Sequence, residues 1–311
     1  MNFKQHLINN IDTIFKSFEI VDKKDPNYFD YTIISKKIID LNTISIIMTT
    51  CNRSKQTLFT IETISKSEFK NIQIIIVDDS TSDPINPKDL EQFNIHIELL
   101  QIKNKFWLNP CINYNLGFNF IKGNKVIIQN AEVCHIGDVI TYINENLNND
   151  NEYFVFDVGA LSNLNNNENL YKIKDMVFNN KELILKLVSV WYQHHIINNR
   201  KLHFLTSMTK KTFDQIKGFD FDYCVGTCYD DDDFLFKIMS SDIKINCISL
   251  NEKIFGIHQW HESTPVSSIK NYKNNSQLLL IKKQYYNNNK KHLILTNNDK
   301  ETAINFIKTL F

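Results

Sequence analysis

Two apolar runs separated by a helical stretch limit what this chain can fold into more than anything else in it. Ser45-Ile46-Ile47-Met48 reads as a buried strand that leaves through Thr49-Thr50-Cys51-Asn52-Arg53. Ile72–Val77 is a second, nearly all-apolar strand that ends abruptly in Asp78-Asp79-Ser80. Between them Leu58, Ile61 and Ile64 fall at helical spacing. A strand, a helix and a strand in so few residues make a βαβ unit, and with it a parallel sheet and a right-handed crossover. Such sheets bind ligands in the crevice beyond the carboxyl ends of their strands. The polar residues that follow each apolar run are therefore the first candidates for function.

The stretch Lys125–His135 supplies another such end: Val126, Ile127 and Ile128 are apolar, and Gln129, Asn130, Ala131 and Glu132 follow directly. A carboxylate placed there can hold a hard cation through oxygen, and the cation can hold a diphosphate; it can equally cap a following helix. Asp78-Asp79 can accept hydrogen bonds from a nucleobase or from ribose hydroxyls, or can serve only as a capped turn. There is no GxGxxG after the first strand, so the dinucleotide fingerprint is absent. Periodicity further predicts a strand over 95–102 and a helix with Asn109 as N-cap, Pro110 in its first turn and Gly123 at its end. A helix over 136–147, strands at 153–158 and 203–208, and a helix over 211–216 complete the centre of the chain.

In the second half, Asp230-Asp231-Asp232-Asp233 precede an apolar run and read as the acidic first turn of a helix. Carboxylates this close repel, so at least one has a raised pKa, as a general base for a hydroxyl requires. His258 and His261 flank Gln259-Trp260, and either could join Glu132 around Mn²⁺ or Mg²⁺, the mixed donor set favouring Mn²⁺. A zinc site from Cys224, Cys228, His258 and His261 is the competing reading, but both spacings are unusual and the pairs are far apart.

Composition bounds the partners. Lys+Arg at 35 balances Asp+Glu at 35, which argues against nucleic acid as the main ligand. Six cysteines without a CxxC pair suggest reduced thiols and a cytoplasmic protein. Neither a signal-peptide core nor an apolar run of about 18 residues is present, so no transmembrane segment is expected. The expected organisation is a helical extension over 1–40, a main domain over 41–270 and a polar appendage over 271–311. That appendage holds a strand-like piece at His292–Thr296 and a terminal helix from Lys300 to Leu310. Nothing in the sequence indicates the oligomeric state.

Taken in order, SIIMTTCNR (45–53), IIIVDDST (74–81), NPCINYNLGF (109–118), IIQNAEVCHIGDVI (127–140), WYQHH (191–195), GFD (218–220) with GTCYDDDDFLFK (226–237), and HQWHES (258–263) resemble family 2 glycosyltransferases. The resemblance implies the GT-A fold: an α/β domain with a Rossmann-like, mostly parallel sheet flanked by helices. It implies a nucleotide-sugar donor, most often UDP-linked, and a metal-assisted, inverting transfer of a hexose to an acceptor hydroxyl on a glycan, a lipid-linked glycan or a protein. By the same resemblance Thr49, Asn52, Arg53, Asp78 and Asp79 bind the nucleoside end of the donor, and Asn115 lies near the diphosphate-sugar. The family's DxD element falls on Asn130-Ala131-Glu132, a departure in which the first acid is an amide and the last is Glu. Glu132 with His258 or His261 then holds the cation, Asp231 is the base, Asp230 orients the acceptor, and Trp191, Gln193 and His194 line the acceptor side. An inactive nucleotide-sugar-binding protein on the same fold is the alternative. A nucleotidyltransferase would need a Gly- and Lys-rich loop after the first strand, and Thr49–Arg53 has no glycine.

Overall fold

The computed structural model describes residues 3–34, 39–176, 181–262 and 269–309. Its strands are β1 (Phe29–Ile34), β2 (Ile44–Thr50), β3 (Ile72–Asp78), β4 (His96–Ile102), β5 (Lys125–Asn130), β6 (Val133–Ile136), β7 (Glu152–Phe156), β8 (Val158–Ala160), β9 (Val190–Gln193), β10 (Leu205–Thr209), β11 (Lys244–Ile248) and β12 (Phe255–His258). Eight of them form one mixed sheet in the order β1-β4-β3-β2-β5-β10-β7-β11. Its centre, β4-β3-β2-β5, is parallel, as the βαβ pattern predicts. The apolar runs of β2 and β3 are unbroken because both faces are covered. Ile47 and Ile75 pack beneath Ile14 and Ile112 of helices Phe3–Lys23 and Cys111–Phe118, while Ile46 and Ile74 pack with Ile61 and Val139 of helices Ser54–Ser65 and Val139–Asn146.

A four-stranded sheet, β6-β12-β8-β9, sits beside the first. Its strands come from places where the sequence shows less than it builds. The helix expected over 136–147 is shorter and starts at Val139, because β6 occupies Val133–Ile136 and Asp138 caps the helix by accepting from the Thr141 N–H at 3.0 Å. The strand expected over 153–158 divides at Asp157 into β7 and β8, one for each sheet.

Four other expectations change. Phe29–Ile34, within the expected amino-terminal extension, is the antiparallel edge strand beside β4. His292–Thr296 is no strand; its end forms a 3₁₀ turn at Leu295–Asn297. Residues 269–289 form one long helix. The helix opened by Asn109-Pro110 ends at Phe118 rather than Gly123. Gly123 is needed for a different reason: a Cβ there would overlap the Thr43 carbonyl. Gly123→Ala is accordingly expected to cost about 1–3 kcal/mol, read as a lower midpoint in thermal unfolding. No helix among the described residues is long and apolar enough to cross a membrane.

Candidate active site

Register brings three strand ends together. Thr50 pairs with Asp78 and Thr49 with Asn130, so β3, β2 and β5 deliver their polar termini side by side. Beyond them opens a cavity of about 530 Å³. Its wall carries Thr49, Arg53 and Asp79 together with Asp230 and Asp231, and Asn130 and Glu132 as well.

Sheet pairing also assembles the Glu132 cluster. His258 stands opposite Val133 across β12 and β6, and Gln259 locks the neighbouring backbone by donating its N–H to the Glu132 carbonyl at 3.0 Å. Glu132 Oε1 then faces His258 Nε2 at 3.2 Å, His261 Nε2 at 3.4 Å and Arg53 Nη1 at 2.6 Å. Burial alone would raise the Glu132 carboxyl. The histidine hydrogen bonds and the Arg53 charge outweigh it and hold Glu132 well below the usual carboxylate range. One carboxylate oxygen and two imidazole nitrogens within 4.8 Å of one another are a donor set that fits Mn²⁺ or Mg²⁺, with the nitrogens favouring Mn²⁺. In the protein alone, the Arg53 guanidinium supplies the counter-charge.

A second cluster, Asp157 with His194 and His195, fits a cation poorly. His194 Nδ1 accepts from the Ile196 and Ile197 N–H groups at 3.0 and 3.2 Å. The neutral ring therefore carries its proton on Nε2, the atom 3.9 Å from Asp157, and has no lone pair left there. The cysteine–histidine zinc reading is not assembled among the described residues, and all six cysteines are free.

The acidic helix spans Asp230–Met239. Of its four leading acids, Asp230 and Asp231 line the cavity, whereas Asp233 turns inward beside Asp220, Lys237 and Lys282. Burial and the neighbouring Asp231 charge push Asp230 up to about 7, against the pull of the Asn109 Nδ2 hydrogen bond at 2.9 Å. Burial also raises Asp231, opposed by the Asp232 N–H and by Arg200. Two interacting carboxyls with raised values can take up a proton near neutrality.

Several expected site residues hold the site instead of facing the cavity. Asp78 accepts from the Ser80 N–H at 2.9 Å and the Ile85 N–H at 2.8 Å. Asn52, at φ 55°, accepts from the N–H groups of Thr81, Ser82 and Asp83. Both shape the loop around Asp79. Asn115 is buried and exchanges two hydrogen bonds with the Phe219 backbone, at 2.7 and 2.9 Å. Asn113 faces the cavity in its place and donates to Asp79 Oδ2 at 2.9 Å. Lys105 pairs with the same oxygen.

Trp191, Gln193 and His194 do not line the cavity. Gln193 donates to the Phe156 carbonyl at 2.7 Å, and Trp191 packs edge-on against the His194 ring. Between them Tyr192 projects the other way, its ring 4.7 Å from that of His258. It borders a second hollow of about 410 Å³ with Trp260, His258 and His261.

The sequence matches the model of "Glycosyl transferase family 2" over residues 45–228. The chain belongs to glycosyl transferase family 2. Among solved structures the family 2 chain is similar to TarS 1-349 of S. aureus, at 13% identity and a TM-score of 0.53, covering 77% of this chain and 64% of that one. The same protein in complex with UDP-GlcNAc matches at 13% identity and a TM-score of 0.53, covering 77% and 66%. The family 2 chain thus spans about two thirds of the length of these neighbours, and they share its GT-A architecture. No curated protein matches the sequence. The match ends at Cys228, immediately before the acidic helix.

Proposed function

We propose that this family 2 chain transfers a sugar from a nucleotide-sugar donor, UDP-linked in the first instance, to an acceptor hydroxyl with inversion at the transferred carbon. The observation that carries the proposal is the convergence of the strand-end residues Thr49, Arg53 and Asp79, Glu132 and the Asp230–Asp231 pair on one cavity, with His258 and His261 meeting Glu132 from the neighbouring hollow. In this reading Asp79, held by Lys105 and Asn113, receives the nucleoside. Glu132, His258 and His261 hold Mn²⁺ or Mg²⁺. A bound cation there supplies charge for the diphosphate as it departs.

Asp231 accepts the proton of the acceptor hydroxyl while that oxygen bonds to the anomeric carbon and the bond from that carbon to the diphosphate oxygen breaks. Asp230, fixed by Asn109, orients the acceptor, and burial keeps Asp231 basic. The acceptor is a hydroxyl compound: glycan, lipid-linked glycan and protein all satisfy the chemistry.

The test is binding and hydrolysis of UDP-, GDP- and dTDP-sugars with Mn²⁺, with Mg²⁺ and with EDTA. Selection of one nucleotide, lost in EDTA, with slow hydrolysis is the expected result; absence of binding to every nucleotide overturns the reading. The sign of the pH dependence follows from the raised carboxyls. Below neutrality the Asp230–Asp231 pair retains a proton, so kcat should climb with pH, with a midpoint near the Asp230 value of about 7, and level off above it. Asp230→Asn removes the carboxyl placed near 7, so the rise around that midpoint should be lost from the profile.

A further inference from the structure

The helix Ile269–Asn289, hereafter the carboxyl-terminal helix and the longer of two (the other is Lys300–Thr309), carries a buried stripe of unusual composition: Asn275, Leu278, Leu279 and Lys282. The spacing is that of one helix face, but its two ends are polar. Each end is used. Lys282 Nζ meets Asp220 Oδ2 at 2.6 Å and Asp222 Oδ2 at 2.8 Å, and donates to the Leu293 carbonyl at 2.7 Å. Asn275 Nδ2 donates to the carbonyls of Cys228 at 2.9 Å and Tyr223 at 3.2 Å. Gly226 makes room for it, since a Cβ there would overlap the Asn275 amide.

The Cys228 carbonyl lies at the most constrained point of the acidic segment. Cys228 and Tyr229 are consecutive non-glycine residues in the left-handed region, at φ 62° and 69°, and Asp230 follows at once. Such conformations cost about 1–2 kcal/mol per residue and persist only where the surroundings impose them. Asn109 reaches the same carbonyl as well, at 3.4 Å, while also holding Asp230. The Tyr229 hydroxyl donates to that of Tyr272, also on the carboxyl-terminal helix.

We propose that Asn275 is a positioning residue: it clamps the Cys228–Tyr229 turn against the carboxyl-terminal helix so that Asp230 and Asp231 face the cavity. The proposal rests on the transferase reading for its kinetic consequence, but the clamp itself can be measured without any substrate. Misplacing a reacting group by about 1 Å can cost about 10²-fold in rate. Asn275→Leu keeps the volume and removes the donor. Asn275→Ser serves as the milder variant should the leucine fail to fold. Leu280→Ala, on the exposed face of the same helix, is the control.

Hydrogen exchange of the full chain is followed by mass spectrometry, and kcat, KM for the sugar donor and the pH profile are measured alongside. Either Asn275 variant should speed exchange over 226–233 while 72–78 and 125–130 stay protected. Its kcat should fall by about 10- to 100-fold with nucleotide affinity within about 2-fold, and the midpoint of the pH profile should move, which general destabilisation would not cause. Unchanged exchange over 226–233 overturns the clamp, whatever the reaction. Faster exchange with unaltered kcat and pH midpoint overturns the positioning role. If the unaltered protein binds no nucleotide, the transferase reading falls while the exchange result still decides the clamp.

Discussion

Asp231→Asn is expected to bind the sugar nucleotide as the unaltered protein does and to transfer at most about 1% as fast, with losses of 10²–10⁴-fold being usual when a general base is removed. The substitution keeps the shape and takes away the proton-accepting oxygen. Asp231 lines the cavity but, among the described residues, shares no hydrogen-bond partner with Asp79, which Lys105 and Asn113 hold, and the nucleotide should not sense its loss. Asp232→Asn, which spares both cavity-lining acids, should retain most of the activity. Single-turnover transfer and isothermal titration with the nucleotide check both halves. Full activity of Asp231→Asn would remove that residue from the mechanism and leave Asp230 as the base to test next.

Lys282→Met should lower stability by about 3–5 kcal/mol, the usual cost of removing one partner from a buried ion pair. With roughly 2–4 °C per kcal/mol for chains of this size, the unfolding midpoint should drop by about 10 °C. Lys282 and Lys237 between them serve Asp220, whose carboxyl they hold far below its ordinary value despite burial. Asp222, deeper and sharing the Lys282 ammonium, is pushed the other way by burial. A depressed carboxyl contributes stability that is present above its unfolded value and is lost as the pH falls through the folded one. The gap between variant and unaltered protein should therefore be widest near neutrality and narrow in acid below about pH 4. Chemical denaturation at several pH values measures it.

The parallel centre of the sheet was legible because β2, β3 and β5 are buried on both faces and so are written as plain apolar runs. Their polar ends were legible for the same reason. What local pattern could not supply was direction. At the helix Cys111–Phe118, Asn113 and Tyr114 share the cavity face with the preceding Pro110, and Asn115 points away to Phe219; the 3.6-residue period separates Asn113 from Asn115 by more than half a turn. In β9 the alternation of a strand sends Tyr192 toward His258 and its neighbours Trp191 and Gln193 elsewhere. The Arg53–Glu132 pair joins residues 79 positions apart, and no spacing rule reaches that far. The carboxyl-terminal helix escaped notice because its buried stripe is half Asn and Lys, so the apolar periodicity that marks an amphipathic helix is nearly absent. Lys282 and Asn275 dock it together with Leu278 and Leu279.

The turn ahead of the acidic helix also bears on which changes in the gene this protein can absorb. A helix advances about 100° per residue. Adding or removing one residue between Gly226 and Tyr229 would leave the strand ends and the Glu132 cluster untouched, yet rotate every acid that follows and carry Asp231 off the cavity. Side chains at Cys228 or Tyr229 can vary within what a left-handed backbone accepts. Length there cannot, and insertions or deletions in this turn should be far more damaging than substitutions in it.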